Sequence, residues 1–147
     1  MSGAALIAAL DEAKELAARG EPVPEAVTDL VLRILAEASD TPAVLDALSG
    51  AGAGRALLRI TDGTRAIEFQ AGDRSLSATI ADPKGKGPKV DATAATWLGL
   101  LGGTLKPWLA FTRGLVICRA GITELRWLQQ TAERLQRGYE AARTAAQ

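Results

Sequence analysis

The residue types that carry most enzyme chemistry are scarce in this sequence. It contains no histidine and a single cysteine, Cys118. Without histidine the commonest general base and metal ligand is missing, and neither a Ser-His nor a Cys-His catalytic pair can form. A lone cysteine allows no intrachain disulfide and no cysteine metal cluster, and it fits a reducing compartment. We therefore predict no catalytic residue, no metal site and no cofactor, and a cytoplasmic location.

Carboxylates are the remaining candidates for acid–base chemistry. Asp91 precedes a short helix and is more simply its cap or N-terminal neighbour, and Glu68 is more simply a solvent-facing residue of an alternating strand. Glu124 lies in the first turn of the last helix, where a negative charge complements the helix dipole. A non-catalytic role is the preferred interpretation. The alternative is an enzyme that isomerises or cyclises an apolar substrate by positioning it, assisted by such a carboxylate.

The charges of the sequence cancel, with 17 basic and 17 acidic residues. A net charge near zero argues against nucleic acid as the main partner and against electrostatic attachment to anionic membranes. No run of about 18 apolar residues occurs, so we expect no transmembrane span. The first apolar residues lack a preceding basic segment, which predicts a helix rather than a signal peptide. We expect no nucleic-acid partner and no integral membrane association.

The first third of the chain is predicted to be helical, within a single domain that spans residues 1–147. Apolar residues recur there at spacings of three and four, which is the helical period. Residues 1–50 are predicted to hold three helices: Ala4–Arg19, Pro24–Ala38 and a short one that begins at Pro42. The glycine-rich stretch Ser49–Gly54 follows a helix and precedes a strand, whereas a dinucleotide-binding turn has the reverse context. We interpret it as a flexible connector.

The hydrophobic period then changes from helical to strand-like. Apolar and polar residues alternate, and Asp62-Gly63 and Gly72-Asp73 are strong turn signals. This pattern predicts a three-stranded antiparallel meander with one wet and one apolar face. A lysine-containing loop over 82–89 is expected to be a solvated loop tip, and a short strand is predicted over Lys89–Thr93.

The last third is predicted to contain helices around one more strand. Gly102-Gly103 separates two short helices, and an apolar run of four residues reads as a central buried strand. Apolar residues then recur at helical spacing to the end of the chain. The predicted elements are helices over Ala94–Leu101 and Thr104–Arg113, a strand over Leu115–Cys118, and a long helix over Ile122–Ala145.

This order of elements resembles the sterol carrier protein 2 (SCP2-like) family. The resemblance covers about Arg55 to Tyr139 and has these residues as its basis: Asp62-Gly63, Val90-Asp91-Ala92-Thr93, Trp97, Leu100-Leu101, Gly103, Pro107, Ala110, Gly114, Gly121, Leu125 and Leu128. It implies an α+β fold, a five-stranded, mostly antiparallel sheet covered by helices. The N-terminal helices would occupy 1–50, the sheet with two inserted short helices 55–121, and the C-terminal helix 122–145.

The same resemblance implies an apolar tunnel for sterols, fatty acids, acyl-CoA or other lipids, with the C-terminal helix near its mouth. We expect Trp97 and Trp108 to face the sheet, as core or as cavity wall. Trp127 lies off the apolar stripe of its helix, so we expect it at the ligand mouth or at a partner contact. The ligand-binding residues predicted are Phe69, Ile80, Trp97, Leu101, Leu105, Trp108, Leu109, Leu125, Trp127 and Leu128.

Three functions follow, in order of preference. The first is non-catalytic binding or carriage of a hydrophobic small molecule in an apolar cavity. The second is the isomerase or cyclase already named. The third is an interaction module that uses the C-terminal helix. The expected partners are the hydrophobic ligand and either a partner enzyme or a second copy bound through that helix. The last five residues lack a peroxisomal Ser-Lys-Leu signal, and the alanine- and glycine-rich composition suggests a bacterial protein.

Overall fold

A computed structural model describes residues 3–146 and has an α+β architecture. Helices come first, a five-stranded sheet follows, and a long helix ends the described chain. The elements are α1 (Ala4–Arg19), α2 (Pro24–Ser39), α3 (Pro42–Ala47), β1 (Gly54–Ile60), β2 (Ala66–Gly72), β3 (Ser75–Ala81), β4 (Lys89–Ala92), α4 (Ala94–Leu101), α5 (Pro107–Thr112), β5 (Ile117–Arg119) and α6 (Ile122–Ala145).

The sheet is mixed and mostly antiparallel, as predicted. Its strands lie in the order β3-β2-β1-β4-β5. The meander β1-β2-β3 is antiparallel throughout, and β5 is antiparallel to β4. The exception is β4, which lies parallel to β1 after the loop over 82–88 carries the chain back across the sheet. No helix described for residues 3–146 combines the length and apolar character that a membrane span requires.

Register gives the sheet two different faces. Leu58 lies opposite both Ile67 and Val90, and Ala56 lies opposite Phe69, so these apolar residues share the face that packs on the helices. We call this the core face. Successive side chains of a strand point to opposite faces, so Arg59, which follows Leu58, lies on the other side of the sheet, which we call the outer face.

The helices cover the core face in two groups. Helices α1, α2 and α4 pack on one another, and α2 also covers β2 and β3. Helix α6 packs along α3 and reaches β1. The largest fully buried side chains come from most of these elements, which makes one continuous core: Leu6, Ile34, Leu48, Ile67 and Leu98.

Two predicted elements in the last third are wrong in position. The second short helix begins at Pro107 rather than at Thr104, because proline suits the first helical turn and Lys106 precedes it in an extended conformation. The run Leu115–Cys118 is not a central buried strand. The N–H groups of Leu115 and Val116 both donate to the Ala110 carbonyl, so the strand begins only at Ile117. It lies at the sheet edge, with Ile117 49% exposed.

A glycine permits the close approach of α6 to α3. Gly138 is buried, and a Cβ atom at this position would lie 2.8 Å from the Cα of Val44 and 3.3 Å from the Cβ of Ala47. The backbones therefore meet with no room for a side chain. Farther along α6, Arg143 donates from Nη1 to Asp11 of α1 at 2.9 Å, which extends the contact to the first helix.

Gly138→Leu is expected to lower the free energy of unfolding by about 2 kcal/mol or more, because the added side chain must push α6 away from α3. Ala141→Leu is the matched control, since Ala141 is exposed on the same helix. Urea denaturation of both variants measures the difference. Equal stability of the two variants would contradict the packing described here.

Candidate ligand-binding site

Trp127 joins α6 to the beginning of β1. Its indole N–H donates to the Gly52 carbonyl at 2.8 Å, and its ring lies 6.2 Å from the Phe69 ring, centroid to centroid, at 45°. The indole lies so close over Gly54 that a Cβ atom there would overlap it. Trp127 is thus half-buried against its own sheet, and this contact explains its position off the main stripe of α6.

The connector 49–53 is held by α6 and by the turn between β2 and β3. Arg134 donates from Nη1 to the Ser49 carbonyl at 2.9 Å, and the Gly50 N–H donates to Asp73 Oδ1 at 2.7 Å. With the Gly52 bond to Trp127, three backbone groups of this glycine-rich segment have fixed partners. The sequence predicts a flexible connector here, whereas these bonds tie it to α6 and to the β2–β3 turn, and no residue pattern within the segment signals these distant partners.

Trp97 is buried between α4 and the sheet, so it faces the sheet as expected. It is 8% exposed, and its indole N–H donates to the Arg59 carbonyl of β1 at 3.1 Å. Thr93 caps this helix, because its Oγ1 accepts the Thr96 N–H at 3.3 Å. Leu101 and Leu105 follow at the end of α4 and in the next turn, where both are half-buried and pack on the core.

Trp108 does not face the sheet. It is 69% exposed, whereas Ala110 is fully buried. Two residues on a helix differ by about 200° in direction, so the side of α5 that buries Ala110 turns Trp108 to solvent. Phe111 is also exposed. Ala110 marks the side of α5 that faces the core, whereas the sequence analysis assigned that side to the larger Trp108.

Three of the predicted ligand residues are half-buried without packing on the buried core. Leu109, Leu125 and Leu128 lie partly covered, but they are outside the group of apolar side chains that pack on the buried core of residues 3–146. Ile80 stands apart from them. It lies on the edge strand β3 opposite Ile67, on the part of the sheet that α2 covers, and it is partly exposed.

Two cavities of the described chain lie elsewhere. One of about 240 Å³ is lined by Ala53, Gly54, Gln70, Ala71, Gly72, Ser75, Leu76 and Ser77. The other, of about 160 Å³, lies at the turn between α1 and α2 and is lined by Leu16, Arg19, Gly20, Glu21, Pro22, Val23, Ala26 and Val27. None of the ten predicted ligand residues lines either cavity. Both volumes are below the roughly 300–1,000 Å³ typical of small-molecule sites.

The outer face carries a charged cluster centred on Asp91. This carboxylate is 5% exposed and accepts two hydrogen bonds from Arg59, each of 2.6 Å, and one from Arg119 Nε at 2.9 Å. Arg59 also donates from Nη1 to the Pro83 carbonyl at 3.1 Å. Asp91 is therefore neither a helix cap nor a residue of the core face, and its two arginine partners were not foreseen.

The electrostatics of this cluster oppose acid–base catalysis by the carboxylates that we considered. Hydrogen bonds from Arg59, together with the one from Arg119, hold the pKa of Asp91 below its ordinary value despite burial. Glu68 lies on the same outer face and pairs with Arg55 at 3.2 Å. Burial, and then the charge of Asp91, raise the pKa of the Cys118 thiol, which disfavours a thiolate. Within residues 3–146 no three histidine, cysteine or carboxylate residues cluster as metal ligands would.

Comparison with solved structures identifies the fold. The crystal structure of a sterol carrier protein 2 superposes with a TM-score of 0.52 and 23% identity, over 78% of this chain and 95% of that protein. The solution structure of TT1886, a conserved hypothetical protein of Thermus thermophilus, gives the same TM-score and identity over 86% and 92% of the two chains. The chain has the SCP2-like fold.

The SCP2-like fold of this chain also occurs inside a larger enzyme. A stereoselective inverting sec-alkylsulfatase of a Pseudomonas species matches with a TM-score of 0.52 and 17% identity over 73% of this chain, which spans only 16% of that protein's length. At these identities the likeness establishes the fold alone. No protein-family model matches the sequence, and no curated protein matches it significantly.

Replacing Asp91 by asparagine tests the charged cluster. Asp91→Asn is expected to lower the free energy of unfolding at neutral pH by about 2 kcal/mol, because both arginines lose a charged acceptor. A carboxylate with a lowered folded-state pKa stabilises above its unfolded pKa of about 3.9, and that contribution disappears as pH falls through the folded value. The stability difference between wild type and variant should therefore begin to shrink below about pH 4 and disappear at pH values below the folded-state pKa.

Urea unfolding at a series of pH values measures this effect. Asp40→Asn is the control, because Asp40 is an exposed carboxylate at the end of α2. A stability difference between the wild type and Asp91→Asn that stays constant from neutral pH into strong acid would show that the lost interaction is not ionic.

Proposed function

We propose that this chain binds and carries a hydrophobic small molecule of the lipid, fatty acyl or sterol class, without chemistry of its own. The observation that carries the proposal is the SCP2-like fold combined with the half-buried leucines outside the core, Leu109, Leu125 and Leu128. Partly covered apolar side chains that do not pack on a core are suited to receive an apolar ligand. Removal of apolar surface from water supplies roughly 25 cal/mol per Å², which can hold a lipid without a charged anchor.

The proposed site lies between the core face of the sheet and the helices α4, α5 and α6. We centre it on the three leucines and include the predicted ligand residues Phe69, Trp97, Leu101, Leu105 and Trp127. Ile80, on the part of the sheet that α2 covers, and Trp108, on the solvent side of α5, lie outside the proposed site. Phe69 and Trp127 would close one end, since their rings already contact each other. Two cavities of the described residues lie elsewhere, and the proposal therefore includes an opening of this site as the ligand enters.

Helix α5 is the element that we propose to move. It has six residues, and Ala110 is its buried residue. Displacing such a short helix uncovers little apolar surface, which keeps the free-energy cost of opening small. Helices α4 and α6 are fixed more firmly, by the Trp97 and Trp127 hydrogen bonds to the sheet and connector. Segments with few buried contacts are the ones that move in binding proteins.

A carrier without chemistry of its own is also consistent with the position and the lowered pKa of Asp91. The alternative of an isomerase or cyclase required a carboxylate in the pocket with a raised pKa, whereas Asp91 lies on the outer face and its pKa is lowered. The third alternative required Trp127 for a partner, whereas its indole is engaged by Gly52 and Phe69. A carrier of this type would act in the cytoplasm of a bacterium and pass its ligand to a partner enzyme.

Native mass spectrometry of the purified protein, followed by organic extraction, tests the proposal. We expect a co-purifying lipid, or an added mass when fatty acids, acyl-CoA or sterols are supplied. A bound ligand should also raise the melting temperature, and the increase should grow with the logarithm of ligand concentration once that exceeds Kd, because the ligand binds only the folded chain. An unliganded protein that ignores every one of these compounds would overturn the proposal.

The location of the site is tested by two variants. Leu109→Gln and Leu128→Gln are each expected to weaken binding of the fluorescent fatty acid cis-parinaric acid by about tenfold or more, because each removes apolar contact area worth roughly 1.5–3 kcal/mol when buried. Leu45→Gln is the matched control, since Leu45 is a half-buried leucine in α3. Fluorescence titration measures the three affinities. Equal weakening by the Leu45 variant would place the site elsewhere.

A further inference from the structure

The two edges of the sheet differ in their protection against pairing with another chain. Edge strands are normally protected by short length, by charged side chains, by proline or by a bulge. The β5 edge is three residues long and carries Arg119, whose side chain is 62% exposed. The β3 edge has seven residues, SLSATIA, with no charge and no proline, and its register with β2 is unbroken. The β3 edge therefore has none of these protective features.

The outer side of the β3 edge is open. Every second residue of an antiparallel edge strand directs its N–H and C=O groups away from the neighbouring strand. At all seven positions β3 pairs with β2, and within residues 3–146 its backbone forms no hydrogen bond outside that pairing. Helix α2 packs on β3 but leaves Ser77, Thr79 and Ile80 exposed. The backbone groups on this side are therefore accessible to a further strand.

The sequence of β3 is complementary to an antiparallel copy of itself. With Ala78 on a twofold axis, Ser77 lies opposite Thr79 of the second copy, and Leu76 lies opposite Ile80. Directly opposed residues have their side chains on the same face, where they contact each other. Hydroxyl groups would thus meet on the outer face and apolar groups on the core face. The second contact would cover Ile80, which is 43% exposed in the single chain.

The charges that flank β3 match in the same register. Arg74 precedes the strand and Asp82 follows it, so pairing centred on Ala78 places each of them opposite the other in the second copy. Both residues are exposed. Arg74 pairs with Asp46, whereas Asp82 takes part in no ion pair within residues 3–146. Opposite charges across an antiparallel pair are stabilising, and like charges are destabilising.

We propose that this chain forms a twofold dimer in which the β3 edges of two copies pair antiparallel about Ala78. The result is a continuous sheet of ten strands, five from each chain, with β5 at both outer ends. Twofold dimers are the commonest oligomers, and their interfaces require a self-complementary surface. A second copy is the occupant that fits, because hydroxyl, apolar and charged residues all find their counterparts in one register of the same sequence.

This interface differs from the one that the sequence predicts, which uses the C-terminal helix. The indole of Trp127 on that helix is already bonded to Gly52 and in contact with Phe69. Pairing through β3 leaves both β5 edges, and the α5 segment that precedes them, at the outer ends of the ten-stranded sheet. The dimer requires no ligand, so it goes beyond the proposed carrier function and does not depend on it.

Sedimentation velocity over a range of protein concentrations, from about 1 μM to about 1 mM, tests the dimer. One pair of edge strands makes a small interface, so we expect a reversible monomer–dimer equilibrium within this range. Ser77→Lys combined with Thr79→Lys places lysines opposite each other on both sides of the axis. This variant should dimerise about tenfold more weakly or less.

A second variant tests the register itself. Ser77→Glu combined with Thr79→Lys places a glutamate opposite a lysine at the same two places, so it should dimerise at least as well as the wild type. The two variants share the lysine at position 79 and differ only in the charge at position 77. Equal weakening by both variants would overturn the proposed pairing.

A control on the C-terminal helix separates the β3 edge from general effects of charge. Gln129→Lys combined with Gln130→Lys adds two lysines at exposed positions of α6 and should dimerise as the wild type does. Melting curves check that each variant folds. A chain that stays monomeric at about 1 mM overturns the proposal. Loss of the dimer in the α6 variant, with both β3 variants unchanged, places the interface on the helix and overturns it as well.

Hydrogen exchange of the wild type gives an answer that needs no variant. Amides of β3 should exchange about tenfold more slowly at a concentration where the dimer predominates than in the dilute monomer, because pairing gives them acceptors. Amides of β5 and of α6 should exchange at the same rate in both samples. Added protection confined to β5 or to α6 would contradict pairing through β3.

Discussion

The pairing of Arg59 with Asp91 holds the second half of the fold to the first. These residues face each other across the parallel pair β1–β4, and the arginine also binds the Pro83 carbonyl of the loop that leads into β4. Everything after this point, α4, α5, β5 and α6, is reached through a four-residue strand. A strand so short has few backbone hydrogen bonds, so a nearly buried ion pair at its centre stabilises both its register and its neighbours.

This ion pair gives the two faces of the sheet different roles. The outer face carries the charged contacts that set strand order, whereas the core face is free to be entirely apolar. A carrier benefits from this separation, because a polar group on the core face would need its own partner before an apolar ligand could cover it. The charged residues of β1 and β4 therefore fix these strands without facing the proposed site.

Much of the fold could be predicted from the sequence because local signals dominate it. The helical period and the glycines that follow their last residues were enough to predict the bounds of α1 and α4, and Asp62-Gly63 marked the first hairpin. Prediction failed where a distant contact decides the outcome. The strand after α5 begins late because Ala110 accepts two N–H groups, and Asp91 finds its partners on strands far away in sequence.

The candidate site was predictable in composition more than in geometry. Apolar spacing predicted that Trp97 is buried against the sheet. It could not predict that Trp108, eleven residues later, points to solvent, because a six-residue helix has too few positions to define a side. Trp127 lies out of phase with the apolar stripe of α6. The reason is its contact with Gly54, because only a residue without a side chain lets the indole approach the backbone so closely.

The three tryptophans occupy three distinct surroundings: Trp97 is enclosed, Trp127 is half-covered and bonded to a carbonyl, and Trp108 is open to water. Indole emission depends on the polarity around the ring, so the fluorescence of these three tryptophans reports on their surroundings. The steady-state spectrum should therefore be a sum of a blue, an intermediate and a red component. Aqueous quenchers such as iodide should reach the red component first, which lets the state of α5 be followed without any attached dye.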